Sequence, residues 1–263
     1  MSVCEASEPP VLEASRVTCL YGAAAGCLDV SLEVYPGEIL ALVGESGSGK
    51  TTVLKAVSGQ LRPASGQVTY RDARGRELDV HGLAEGRRRL LLRTELGFVH
   101  QNPRDGLNMA VSAGANIADR LLSGGERSYV RVRAEASGWL DRVEIAPDRL
   151  DDRPGLYSGG MLQRLQIARN LVTAPRLVFL DEPTGGLDAS VQARLLDLIR
   201  DLAAGLRLAA ILVTHDLAVA RLLSQRLIVM KEGRVIESGL TDQVLDDPHE
   251  PYTQLLVSSI LDS

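Results

Sequence analysis

The sequence predicts an α/β protein built on a mainly parallel sheet covered by helices. Three observations carry this. Short apolar runs of buried-strand type alternate with helical segments along much of the chain. One of these runs, Ile39–Val43, feeds a glycine-rich loop that opens directly into a helix. A stretch without strand character, Asp105–Tyr157, interrupts the alternation and reads as an inserted helical subdomain.

In order, residues 1–10 read as a loose tail. Val11–Leu20 and Leu28–Val34 alternate like strands, and Pro36-Gly37 marks a turn. After Ile39–Val43 and the glycine-rich loop, Lys50–Ser58 reads as a helix. Gln67–Tyr70 is another strand, followed by a polar stretch, Arg71–Gly86. Arg87–Arg93 carries four arginines, either a solvated helix face or a docking face for a partner. Gly97–Val99 is a strand leading into Gln101. Within the inserted region, Val111–Leu122 and Arg131–Val143 read as helices. The βα alternation then resumes with strands Leu177–Leu180 and Ala209–Thr214, helices Ala189–Leu202 and Leu217–Leu223, and a final strand, Ile228–Met230. The expected division is a core of residues 1–104 and 158–263 around a helical subdomain of residues 105–157. No internal repeat or low-complexity segment is visible.

Composition narrows the partners. A net charge of −5 lacks the basic excess of a dedicated nucleic-acid binder. No apolar run approaches the roughly 20 residues of a membrane-spanning helix, and no secretory leader is visible, so no direct membrane insertion is expected. Cys4, Cys19 and Cys27 are odd in number and lack CxxC spacing. They read as reduced thiols in a cytoplasmic protein.

The chemistry lies in two motifs. Gly44-Glu45-Ser46-Gly47-Ser48-Gly49-Lys50-Thr51 fits a phosphate-binding loop, in which glycines let backbone N–H groups turn inward around phosphates. The helix that follows adds the positive end of its dipole. Lys50 can reach the β- and γ-phosphates, and the Thr51 hydroxyl can ligate Mg²⁺. Downstream, Leu177-Val178-Phe179-Leu180 ends in Asp181-Glu182. Two acids at a strand end are common; below a phosphate loop they acquire roles. Asp181 would hold Mg²⁺ through water, and Glu182 would polarise the attacking water.

With these two motifs, Gln101, Ser158-Gly159-Gly160, Gly186-Leu187-Asp188 and His215 complete, in order, a series that resembles the ATP-binding cassette family over nearly the whole chain. The resemblance implies a P-loop core with a mainly parallel sheet, an antiparallel β region and an inserted helical subdomain. It implies Mg-ATP bound by the Gly44–Thr52 loop and hydrolysed, with two subunits acting as a homodimer or a heterodimer with another cassette. By the same resemblance, Gln101 senses metal and attacking water, and His215 contacts the γ-phosphate. Ser158, Gly159 and Gly160 would bind the γ-phosphate of ATP held by the other subunit, and Asp188 would lie at the dimer seam. Tyr21 matches the aromatic that stacks on adenine, with an ordinary core or surface tyrosine as the alternative.

This signature, Tyr157-Ser158-Gly159-Gly160-Met161, departs from the family's usual Leu and Gln at its first and fifth positions, although its Ser-Gly-Gly is intact. Leu122-Ser123-Gly124-Gly125-Glu126 is closer by letter but lacks the Gln-Arg and Ile-Ala-Arg helix that follows Gly160. It is expected to be a loop between helices.

Within the family, His249-Glu250-Pro251-Tyr252-Thr253 resembles the tail of peptide and nickel importer ATPases. Val99-His100-Gln101, Asp105-Gly106-Leu107, Val111–Gly114, Leu165–Thr173 and Gly239–Asp242 resemble subunit K of the bacterial phosphonate carbon–phosphorus lyase system. That resemblance implies docking on a soluble lyase core through the helical region, with its approach at Arg93–His100. His100 suits a more polar surface than the Phe that importer relatives often carry there, and Asp105-Gly106 adds a charge and a flexible turn. The alternatives are an importer ATPase and an ATP-dependent scaffold with little turnover. The intact Glu182 and His215 argue against the scaffold.

Overall fold

The alternating N-terminal segments form a sheet of their own instead of joining the parallel one. The computed structural model describes residues 8–21 and 24–261. Strands β1 (Leu12–Tyr21), β2 (Ala24–Val34), β3 (Ile39–Val43), β4 (Ser65–Arg71) and β5 (Glu77–Asp79) are followed by β6 (Leu96–Val99), β7 (Leu177–Asp181), β8 (Ala209–Val213), β9 (Arg226–Lys231) and β10 (Arg234–Leu240). Four of them make an antiparallel sheet in the order β2-β1-β4-β5. The other six make a second sheet, β10-β9-β3-β8-β7-β6, parallel except for the β9–β10 pair.

The helices are α1 (Lys50–Val57), α2 (Glu85–Thr94), α3 (Pro103–Gly106), α4 (Ala113–Ser123) and α5 (Tyr129–Arg142), then α6 (Gly159–Leu171), α7 (Ala189–Leu206), α8 (Leu217–Leu223), α9 (Thr241–Asp246) and α10 (Pro251–Leu261). Among the described residues no strand lies between β6 and β7, as the interrupted alternation predicts. Serines open three of the helices in this stretch. Ser112, Ser128 and Ser158 each accept an N–H from the first turn, satisfying one of the donors a helix start leaves free.

The pleat of the six-stranded sheet sorts its side chains between layers. Leu40, Leu42, Phe179, Ile211 and Ile228 face the antiparallel sheet and α1. Val178, Leu180, Ala210 and Leu212 face the opposite layer, where they join Ile117, Trp139, Leu140 and Leu165 of α4, α5 and α6. One core therefore binds the helical segment to the back of the sheet. No helix among the described residues is long and apolar enough to cross a membrane.

The structure corrects three readings. Ile228–Met230 is not the final strand: β9 turns into β10 through Glu232 and Gly233, both at positive φ, a geometry suited to a tight hairpin. The polar stretch Arg71–Gly86 contains β5, a short edge strand. Gly106 is not a flexible turn: it closes α3 against the Gln166 side chain, and a Cβ there would collide with that amide. The arginine run behaves as a solvated face. Arg87, Arg89 and Arg93 are exposed, and Arg89 pairs with Glu85 one turn away. Cys19 and Cys27 are free, buried and paired in register across β1 and β2; Cys4 lies outside the described residues.

Candidate functional site

Parallel strands end on the same edge of a sheet, and ligands of open α/β sheets bind beyond that edge. Four neighbouring strands deliver the predicted residues there. The loop Gly44–Gly49 follows β3, Gln101 lies just past β6, Asp181 and Glu182 end β7, and His215 lies just past β8.

The loop is shaped by what lies beside it. Gly44 and Gly49 have positive φ, and a Cβ at either would collide with a neighbouring carbonyl, that of Met230 or Gly26. The chain thus curls tightly enough to wrap the Lys50 ammonium. Its Nζ donates to the carbonyls of Gly44 and Glu45, both at 2.7 Å, and to Ser48 Oγ at 3.3 Å. Burial lowers the Lys50 pKa, opposed by the negative charges of Glu182, Asp181 and Glu45.

Thr51 Oγ1 donates to Asp181 Oδ1 at 3.0 Å. Burial raises the Asp181 carboxyl, and this hydrogen bond opposes the rise. A hydroxyl and a buried carboxylate side by side are hard oxygen donors of the kind Mg²⁺ takes. Among the described residues no group of three or more His, Cys, Asp or Glu side chains is placed to hold a metal. A cation here would therefore rely on phosphate and water oxygens for the rest of its shell, as Mg²⁺ commonly does.

Glu182 is the hub of the opposite wall. Its backbone sits at φ 42, unusual for a non-glycine residue, while its N–H is tied to the Val213 carbonyl at 2.9 Å. Gln101 Nε2 donates to Glu182 Oε2 at 2.9 Å, and His215 Nδ1 lies 3.2 Å from Glu182 Oε1. His215 is held by its neighbours. Thr214 Oγ1 accepts the Asp216 N–H, and the Asp216 carboxylate caps α8. Gln101, Glu182, Lys50, Thr51 and Thr52 line one cleft of 390 Å³, together with Ser46, Gly47 and Gly49. A larger depression of 780 Å³ beside Arg16 and Asp29 is walled by an exposed ion pair and holds none of these groups.

The remaining predicted residues stand apart from that cleft. Ser158 and Gly159 are exposed at the start of α6, and Gly160 is buried against Val191 of α7. Asp188 is exposed at the start of α7. One face thus carries a phosphate loop while a separate helix start lies open. The Tyr21 side chain lies outside the described residues. Ser123-Gly124-Gly125 ends α4 and leads into the turn before α5, as expected of a loop between helices.

The family described as ABC transporter matches residues 27–185. This chain belongs to that family. It is an ATP-binding cassette ATPase, with the cassette's two sheets and helical segment. It is 59% identical over 252 residues to the "Putative phosphonates utilization ATP-binding protein PhnK" of Escherichia coli (strain K12), covering 96% of this chain and 98% of that one. The oligopeptide transport ATP-binding protein OppF of the same organism is 35% identical over 88% of this chain and 68% of its own. Among solved structures, the dimeric cassette MJ0796 bound to ADP and Pi in a post-hydrolysis state matches with a TM-score of 0.78 at 27% identity. That match covers 88% of this chain and 98% of the other.

Two contacts of the cassette's site escape sequence reasoning. Tyr252 of α10 accepts the Glu45 N–H of the phosphate loop at 3.2 Å, across a separation of 207 residues. The motif around Tyr252 is visible in the sequence, but its fold-back onto the loop is not. Gln163 and Gln166 of α6 hydrogen-bond the backbone of His100, next to Gln101. Their signal was the polar residues inside an otherwise apolar helix face.

Proposed function

We propose that this cassette binds Mg-ATP on the Gly44–Thr52 loop, hydrolyses it as a dimer, and serves phosphonate degradation by docking on a cytoplasmic carbon–phosphorus lyase core. The observation that carries the last part is the 59% identity over nearly the full length of both chains to a phosphonates utilization protein, against 35% to a peptide importer ATPase.

The loop's inward N–H groups, the start of α1 and Lys50 cradle the phosphates. Thr51, Asp181 and Gln101 hold the magnesium ion, which when bound neutralises charge on the phosphate oxygens. Glu182 accepts a proton from the attacking water, and Gln101 and His215, each hydrogen-bonded or adjacent to its carboxylate, keep it aimed into the cleft. Ser158, Gly159 and Asp188 are exposed, with Gly160 just behind them at the same helix start, which supports use of this group by the ATP of a second subunit, identical or related. Tyr21 is proposed to stack on adenine. Residues 105–157 are proposed as the partner-docking subdomain between two core segments, 1–104 and 158–263.

His100 bears on the partner. It is half-buried with its ring 4.6 Å from that of Phe98, and burial lowers its pKa, favouring the neutral form. A neutral imidazole beside exposed Asp105 suits a polar partner better than an apolar membrane-protein helix. The experiment is a pull-down of the purified chain against a lyase core and against a co-expressed permease pair, with and without ATP. Capture by the lyase core is expected, weakened by Asp105→Arg without loss of ATP affinity. Stable capture by the permease alone would promote the importer reading.

A further inference from the structure

Strand β6 is an edge strand, yet its outer side is not left open. Alternate residues of an edge strand turn their backbone groups outward, and these need partners when buried. Here the partners are side chains. Arg120 of α4 donates to the carbonyls of Leu96 and Leu92, at 3.1 and 2.7 Å, and to Asn170 Oδ1. Asn170 Oδ1 accepts the Phe98 N–H at 3.0 Å. Gln166 Oε1 accepts the His100 N–H at 2.6 Å, while Gln166 Nε2 and Gln163 Nε2 donate to the His100 carbonyl at 3.0 and 3.2 Å.

Two periodicities make this possible. Residues two apart on a strand are about 6.7 Å apart, and residues four apart on a helix rise by about 6 Å. Gln166 and Asn170, four apart on α6, therefore meet Phe98 and His100, two apart at β6, as a substitute strand. The four side chains involved are almost wholly buried: Gln166 and Asn170 are 0% exposed, Gln163 2% and Arg120 5%. Two glycines let the layers close. A Cβ on Gly97 would press on Val178 and Asn170, and one on Gly106 would collide with Gln166.

We infer that Gln166 is a positioning residue for hydrolysis, which holds Gln101 against Glu182 by gripping the peptide of His100. The inference rests on the proposed role of Gln101 and extends it. The grip starts from α6, whose cap and first two residues are Ser158, Gly159 and Gly160. A displacement of α6 by a nucleotide on the second subunit is thereby passed to Gln101 in this subunit's own cleft. Arg120 ties the same edge, at Leu96 and Asn170, to α4.

The test is a double-mutant cycle on the full-length protein, with steady-state ATPase activity and ATP binding as readouts. Gln166→Leu keeps volume but removes both hydrogen-bonding ends. It is expected to lower kcat about tenfold while ATP affinity stays within about twofold, and to raise the Mg²⁺ concentration needed for half-maximal rate. In a Gln101→Ala background the same change is expected to cost almost nothing further, because Gln166 acts through Gln101. Leu165→Ala, equally buried on the same helix, should lower thermal stability and leave kcat unchanged below the transition. Gly106→Ala, which crowds Gln166, provides a second route should Gln166→Leu fail to fold, and the same non-additivity is expected. Fully additive losses, or normal turnover in folded Gln166→Leu, would overturn the inference. Normal turnover in Gln101→Ala alone would remove the role of Gln101, and the inference with it.

Discussion

Ser123-Gly124-Gly125 and Ser158-Gly159-Gly160 are spelled alike and folded in opposite senses. The first closes a helix. Ser123 is the last residue of α4, and the N–H groups of Gly124, Gly125 and Glu126 are spent on the carbonyls of Arg120, Leu122 and Leu121. The second opens a helix. Ser158 caps α6, and Gly159 and Gly160 form its first turn, where N–H groups have no partner inside the helix. A helix start carries about half a positive charge and a helix end about half a negative one. The same three residues thus sit in positive potential at one place and in negative potential at the other. What separates them is the sequence that follows: an apolar helical pattern with Gln163-Arg164 after Gly160, and a charged turn after Gly125.

The largest effect that sharpens this contrast comes from the hydrolytic wall. Glu182→Gln is expected to bind ATP normally and lose about 10²–10⁴-fold in turnover, the usual cost of removing a general base. Steady-state assays check it, and near-normal turnover would remove Glu182 from that role. The variant should also accumulate ATP-bound dimer, giving a background in which either Ser-Gly-Gly can be scored.

Smaller effects separate the two glycine pairs. A Cβ at Gly160 would lie 2.5 Å from Val191 Cγ1. Gly160→Ala is therefore expected to cost about 1–3 kcal/mol by overpacking α6 on α7. Gly125 has φ 102 but open space around it, so Gly125→Ala should cost only about 1 kcal/mol of backbone strain. Denaturant melts of both variants check this, and equal losses would mean that Gly125 is as tightly packed as Gly160.

The serines give the smallest difference. Ser158→Ala removes a cap and should cost about 1 kcal/mol. Ser123→Ala, at a helix end without a capping bond, should stay within about 0.5 kcal/mol. Equal melting curves would contradict the assignment of Ser158 as a cap.

Much of this was legible in the sequence because the residues concerned are local signals. The phosphate loop needs glycine where its curl meets the Met230 and Gly26 carbonyls, so the motif names its own geometry. Asp181 and Glu182 follow an apolar run whose shortness reads as a buried strand. What was not legible depends on distance or on weak pattern. β10 is an edge strand with a mixed face and gives no clean alternation. β5 has three residues, too few for periodicity. Asp105-Gly106 looks like a flexible turn by composition, while in space the glycine makes room for Gln166, a residue 60 positions away. Tyr252 and Glu45 meet only because α10 folds back onto the site.

We propose that ATP is shared between one subunit's phosphate loop and the α6 start of another. Sedimentation of the Glu182→Gln protein with saturating ATP tests it most directly when Ser158→Arg and Ser123→Arg are added separately. The account predicts a monomer with Ser158→Arg, where a bulky side chain blocks the approach of phosphate. It predicts a dimer with Ser123→Arg, its affinity within about twofold of the parent. A dimer with Ser158→Arg and a monomer with Ser123→Arg would contradict it.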